Sequence, residues 1–169
     1  MSIQKLTFQC LLTMGSLWVN GQPNAGLKSD SIKNKWLDIA YASISPAEKL
    51  DIYIPNTGNG PFPIILAIHG GAFKMGDKAS GEITPMLEGL TRGYALVSIN
   101  YRMSGEAKAP KLIQDVKAAI RWIRANAKQY KLNPDKIAAW GSSAGGHLSS
   151  LAGTSGGINE LEDLSLGNP

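Results

Sequence analysis

Gly141-Ser142-Ser143-Ala144-Gly145 decides the fold class of this chain of 169 residues. The apolar run Ile137-Ala138-Ala139-Trp140 precedes it, and a helix is expected to start near Gly146. G-x-S-x-G between a strand and a helix is the sequence form of a nucleophile elbow. The two glycines have a steric reason. A serine held on so tight a turn leaves no room for Cβ atoms on the flanking residues. The same turn lifts the Ser143 hydroxyl clear of the strand end and aims the following backbone N–H groups at the space beside it. Glycine–serine loops are common, so the pentapeptide needs support from a second element.

His69-Gly70-Gly71-Ala72-Phe73 supplies that support, directly after the apolar run Ile64-Ile65-Leu66-Ala67-Ile68. Acyl transfer builds negative charge on a carbonyl oxygen, and each fixed N–H donor stabilises that charge by a few kcal/mol. Bare backbone approaches an oxyanion closely, which is what a glycine-rich loop after a buried strand offers. With the N–H of Ala144, the residue after the serine, such a loop forms an oxyanion hole. An ordinary strand-end turn accounts for either run alone. Both runs together, each behind an apolar strand, favour a site.

These two stretches, with Asn100-Tyr101-Arg102 and the run from Trp140 to Leu148, resemble the α/β-hydrolase esterases of the hormone-sensitive-lipase and bacterial feruloyl/acetyl-esterase type. The resemblance extends from about Asp51 to the C-terminus. It implies an α/β-hydrolase fold with a mostly parallel, doubly wound sheet. It also implies a serine carboxylesterase with a Ser–His–Asp/Glu triad, acting on short acyl esters of acetyl or feruloyl type, free or linked to plant polysaccharides. It assigns Ser143 as nucleophile and Gly70, Gly71, Ala72 and Ala144 to the oxyanion hole, without deciding which of the first three donate. Alanine stands where the family has a third glycine, and its N–H remains available.

The rest of the triad is what this sequence does not offer. In the family the acid and then the histidine follow the nucleophile far downstream, whereas 26 residues follow Ser143 and the chain holds 2 His. His69 heads the oxyanion loop, where the family uses it for structure. His147 lies one helical turn after Ser143, and its side chain would have to bend back across the helix N-terminus to reach the hydroxyl, so it reads as a packed polar residue. Asp163 sits in a tail without strand character, and Asp115 lies within a helix, where the resemblance implies a pairing with Arg102. The expectation is a nucleophile and a hole with neither acid nor base in the chain, a fold truncated after the elbow helix, and at most trace activity. A non-catalytic half-domain and a serine peptidase of the prolyl-oligopeptidase type remain as alternatives. The peptidase type shares the elbow, but the His69-Gly70-Gly71 loop favours the esterase.

Composition narrows the setting. Hydrophobic residues at 43% and charged residues at 18% describe a globular domain rather than a disordered segment or coiled coil. The net charge of +4 is spread along the chain, and no motif supports nucleic-acid binding. Two histidines and one cysteine leave little to ligate a metal, and no cofactor pattern is present. Lys5, an apolar run over 6–19 and the small residues around Gly21 read as a secretory signal over 1–21. The run is too short to span a membrane, so the mature chain is expected to be secreted or periplasmic and free of membrane. Cys10 would leave with the signal, which suits an oxidising compartment. A linker over 22–35 then leads into a single domain over 36–169.

Within that domain the periodicity predicts two half-exposed strands around Leu37, Ile39, Tyr41 and around Leu50, Ile52, Ile54, paired with each other. The continuous apolar runs 64–68 and 95–99 predict parallel strands buried on both faces. Helices are expected over 83–90 and over 110–129, the second with proline in its first turn. Nothing after the elbow helix has the character of a strand that could pair beyond 136–140. That strand is therefore expected to present an open edge, a route to self-association.

Overall fold

The computed structural model describes residues 28–167. The expected signal segment, Cys10 and the first part of the expected linker lie outside the described residues. Within 22–35, residues from Lys28 on carry a short 3-10 turn at Ser29–Ser31, and Ile32 is buried against the domain.

Five strands form one sheet: β1 (Lys35–Ala40), β2 (Lys49–Tyr53), β3 (Phe62–Ile68), β4 (Ala95–Ile99) and β5 (Leu132–Gly141). Their spatial order is β1-β2-β4-β3-β5. The pairs β1–β2 and β2–β4 are antiparallel, while β3–β4 and β3–β5 are parallel. The sheet is thus mixed, and its parallel half is the part that carries the two motifs.

Alternation along the strands sends side chains to opposite faces. Leu50 and Ile52, Ile64, Leu66 and Ile68, and Val97 and Ile99 meet the main core. There they pack with Leu112, Ile113, Val116, Ala119 and Ile123 of α2 (Lys111–Asn126) and with Leu148 of α3 (Ser143–Thr154). Tyr53, Ala67 and Leu96 point to the other face. They meet Ile83, Met86, Leu87 and Leu90, carried by the short α1 (Thr84–Leu87) and the 3-10 turns on either side of it. Helices therefore cover both faces, as a doubly wound arrangement requires.

Several boundaries differ from the sequence reading, each for a physical reason. The early strands do pair, but β2 is buried rather than half-exposed, because β4 flanks its other side. Asp38 takes a positive φ of 57° at an irregularity between Trp36 and Ile39, which leaves Leu37 half exposed instead of facing inward. Its backbone is held there by a bond from Asp38 N–H to the Asp51 carboxylate at 2.8 Å. The segment 83–90 is helical only over Thr84–Leu87, with 3-10 geometry before and after. Helix α3 begins at Ser143 itself, three residues before the expected start.

The tail after α3 forms no strand. It turns through a 3-10 segment at Asn159–Leu161 and docks on α2. Gln114 donates to the carbonyls of Glu160 and Glu162, and Arg121 donates to those of Asp163 and Leu166. Lys117 pairs with Glu162 at 2.9 Å, and the Leu166 side chain enters the main core. Among the described residues β5 pairs with β3 alone, and Ala138, Ala139 and Trp140 are exposed.

Candidate active site

Parallel pairing brings the two motifs together. In the β3–β5 register Ile64 lies beside Ile137, and Ile68 beside Gly141. The loop after β3 and the turn after β5 therefore leave the same end of the sheet from adjacent strands. Ligand sites of open α/β sheets form outside these carboxyl ends.

The turn has the strain that an elbow needs. Ser143 is exposed and holds a φ of 48°, a left-handed conformation that costs a non-glycine residue about 1–3 kcal/mol. Its flanking glycines are packed against the end of β3. A Cβ on Gly145 would fall 1.9 Å from the Ile68 carbonyl oxygen, and one on Gly141 would fall 2.5 Å from the same atom. No other residue fits at either place. Gly146 N–H donates to the Ser142 carbonyl at 3.2 Å, closing the first helical turn. The N–H of Ala144 lies in that first turn, where no intrahelical acceptor exists, so it points outward as a donor.

The loop 69–73 is fixed from behind by His69. Its ring is buried and stacks on Tyr101 at a centroid distance of 4.7 Å. Tyr101 Oη donates to the His69 carbonyl at 3.0 Å, and His69 Nδ1 lies 2.7 Å from the Gly70 carbonyl, to which its N–H donates. Burial pushes the Tyr101 hydroxyl up to about 12, with the Glu82 carboxylate adding to the effect, so it remains a donor at neutral pH. Beyond the loop, Asn100 at the end of β4 receives Lys78 N–H and donates to Asp77. The backbone at Gly71, Ala72 and Phe73 runs through consecutive positive φ values of 105°, 53° and 60°.

The expected donors are not equivalent. Gly70, expected in the oxyanion hole, donates its N–H to Glu82 Oε2 at 2.8 Å. The N–H groups of Gly71 and Ala72 have no acceptor among the described residues. Together with Ala144 they leave three donors at the end of the sheet beside Ser143. Glu82 also accepts from Ser142 Oγ at 2.9 Å. Nothing in the sequence marks this contact, since Glu82 lies 12 residues from one partner and 60 from the other.

Neither histidine reaches Ser143, whose hydroxyl has no hydrogen-bond partner among the described residues. His147 instead meets Phe73 edge to face, with centroids 5.9 Å apart. Both rings line a cavity of about 340 Å³, with Ala107, Ile113, Leu148 and Leu151 among its largely apolar lining. Asp163 lies on the α2 side, bonded to Ser165 and Lys111. Asp115 pairs with Arg102 as expected. It receives Arg102 N–H and Nε–H at 2.9 Å each, and this pairing raises the guanidinium pKa. That buried pair fixes the chain after β4 and stays out of the site. Among the described residues no group of three His, Cys, Asp or Glu side chains could hold a metal, and no helix is long and apolar enough to cross a membrane.

The chain is similar to known proteins. The BD-FAE family model matches residues 50–167. Over 118 residues the chain is 42% identical to a probable carboxylic ester hydrolase, LipM, of Mycobacterium tuberculosis, covering 68% of this chain and 27% of that protein. A solved structure described as a truncated form of carbohydrate esterase from gut microbiota superposes with a TM-score of 0.71 at 40% identity, over 79% of this chain and 47% of the other. A bifunctional GH43-CE protein of Bacteroides eggerthii superposes at 0.70 with 45% identity, over 74% of this chain and 16% of the other. The chain spans about a quarter of the length of the curated relatives it matches. The sheet and helices are those of the α/β-hydrolase fold.

Proposed function

The chain belongs to the BD-FAE family of α/β-hydrolase esterases, and on that premise we propose that it carries the nucleophile half of a serine carboxylesterase site. Ser143 Oγ attacks the ester carbonyl carbon and its proton passes to a base; the carbonyl oxygen becomes an oxyanion held by the N–H groups of Gly71, Ala72 and Ala144. Collapse expels the alcohol, and water then releases the acid from the serine. One observation carries this reading. The strained Ser143 and the donor loop stand at the ends of adjacent parallel strands, with Gly145 forced by the Ile68 carbonyl.

The substrate reading is a short acyl ester, of acetyl or feruloyl type. The apolar cavity between Phe73 and His147 has room for a small aliphatic or a single aromatic group. One of the similar structures is described as a carbohydrate esterase, which supports a saccharide-linked alcohol. The peptidase alternative gains no observation.

The second reading, a domain without turnover of its own, draws on the absence of a proton acceptor beside Ser143 among the described residues. Hydrolysis of p-nitrophenyl acetate by the 169-residue chain separates the two. Hole and binding alone leave roughly 10³-fold catalysis over water when triad members are missing. A trace rate that falls on Ser143→Ala is expected. A rate equal in the variant and the parent favours the second reading, and a vigorous rate abolished by His147→Ala makes His147 the base.

A further inference from the structure

Glu82 stands outside every role assigned above, yet it joins both halves of the site. Its Oε2 accepts the Gly70 N–H at 2.8 Å and the Ser142 hydroxyl at 2.9 Å. Gly70 belongs to the donor loop after β3, and Ser142 is the residue before Ser143 on the turn after β5. The two loops lie close together here, since a Cβ on Gly70 would lie 3.0 Å from the Ser142 carbonyl oxygen and 3.4 Å from Glu82 Oε1. An ionised carboxylate accepts only, so one oxygen can hold two donors from different loops, and charge makes such bonds about twice as strong as neutral ones.

We propose that Glu82 is the positioning residue that sets the donor loop against the elbow, so that alignment of the Ala72 and Ala144 N–H groups with Ser143 depends on the Glu82 carboxylate. This rests on the esterase reading. By engaging the Gly70 N–H, Glu82 turns that amide away from the substrate oxygen and fixes the peptide from which Gly71 and Ala72 follow. By engaging Ser142 it fixes the residue whose carbonyl starts α3. A small misplacement of reacting groups can cost about 10²-fold in rate, so the effect should appear in kcat rather than in KM.

The bond from Gly70 N–H, then that from Ser142, hold the Glu82 carboxyl below its ordinary pKa. His69 and Tyr101 are the titratable side chains whose charges couple to it. Protonation removes the charge that both bonds favour, so the loop is expected to loosen only as the pH falls through that depressed value.

The test follows the backbone amide resonances of Gly70, Ala72 and Ala144 from about pH 7 to about pH 3 in the 169-residue chain and in Glu82→Gln. The His69 ring resonances mark that residue's own protonation, and the Ser143-dependent rate of p-nitrophenyl acetate hydrolysis is read beside them. All three wild-type amides are expected to move in one step below the ordinary glutamate range. Glu82→Gln should abolish the step while retaining the thermal midpoint at neutral pH, and should lower kcat about tenfold with KM nearly unchanged. Ala72 and Ala144 amides that ignore the Gly70 step, or a Glu82→Gln variant with wild-type kcat and pH profile, overturn the proposal. A wild-type chain without any Ser143-dependent rate counts against the esterase reading, and the coupled amide step then decides the role of Glu82 alone.

Discussion

At the scale of the residue, the site is an exercise in excluding Cβ atoms. Ser143 accepts a left-handed backbone because Gly141 and Gly145 let β5 and α3 close against the end of β3. Gly145→Ala would put a methyl group 1.9 Å from the Ile68 carbonyl oxygen, which is backbone and cannot swing aside. The turn must open or β3 must shift, at a cost of about 1–3 kcal/mol or more. Denaturant unfolding of Gly145→Ala is expected to show a lower midpoint with an unchanged slope. Gly153→Ala is the control, because nothing lies within 4 Å of its Cβ position. Equal midpoints for the two variants would mean that the elbow is looser than its geometry. The donor loop obeys the same logic, since Gly71 at a φ of 105° would press a Cβ into the Met75 carbonyl.

At the scale of the element, legibility in the sequence followed the strength of local rules. The buried parallel strands were readable because β3 and β4 are continuous apolar runs, and α2 because its apolar residues recur at helical spacing. The two loops were readable because each needs glycine where it turns. What escaped depends on contacts between distant segments. The burial of β2 is set by β4, which lies far downstream and pairs Ile99 with Leu50 and Leu96 with Tyr53, and the sequence of β2 alone reads as half-exposed. Glu82 lies on a 3-10 turn with no motif, so neither its bond to Ser142 nor the diversion of Gly70 could be inferred. The tail was expected to lack strand character and does, but its docking on α2 through Gln114 and Arg121 had no periodic signal. The edge of β5 gives this scale its prediction. Ala138, Ala139 and Trp140 are exposed, and an open strand edge is a template for pairing with another chain. Light scattering is expected to show self-association that rises with concentration and weakens in Ala139→Pro or Ala138→Lys. A strict monomer with strongly protected amides along β5 would show that the edge is covered.

At the scale of the whole molecule, one sheet serves two purposes. Its antiparallel half, β1-β2-β4, is a support in which β2 and β4 are buried, stapled by Arg102–Asp115 and by Lys78 with Asp51 and Asp38. Its parallel half, β4-β3-β5, presents two loops from one end, and helices on both faces keep those strand ends in register. The central claim is that this end of the sheet makes Ser143 different from every other serine. Exposure alone does not, because Ser142 beside it is exposed as well. The most direct measurement is the reaction of the chain with a fluorophosphonate ester, followed by peptide mass mapping. The phosphonyl oxygen takes the place of the oxyanion, so only a serine facing the Gly71, Ala72 and Ala144 donors gains from them. The account predicts a slow, single adduct on Ser143 that disappears in Ser143→Ala and on unfolding the chain. An adduct on Ser142, labelling spread evenly over the exposed serines, or no preference for Ser143 in the folded chain would contradict it.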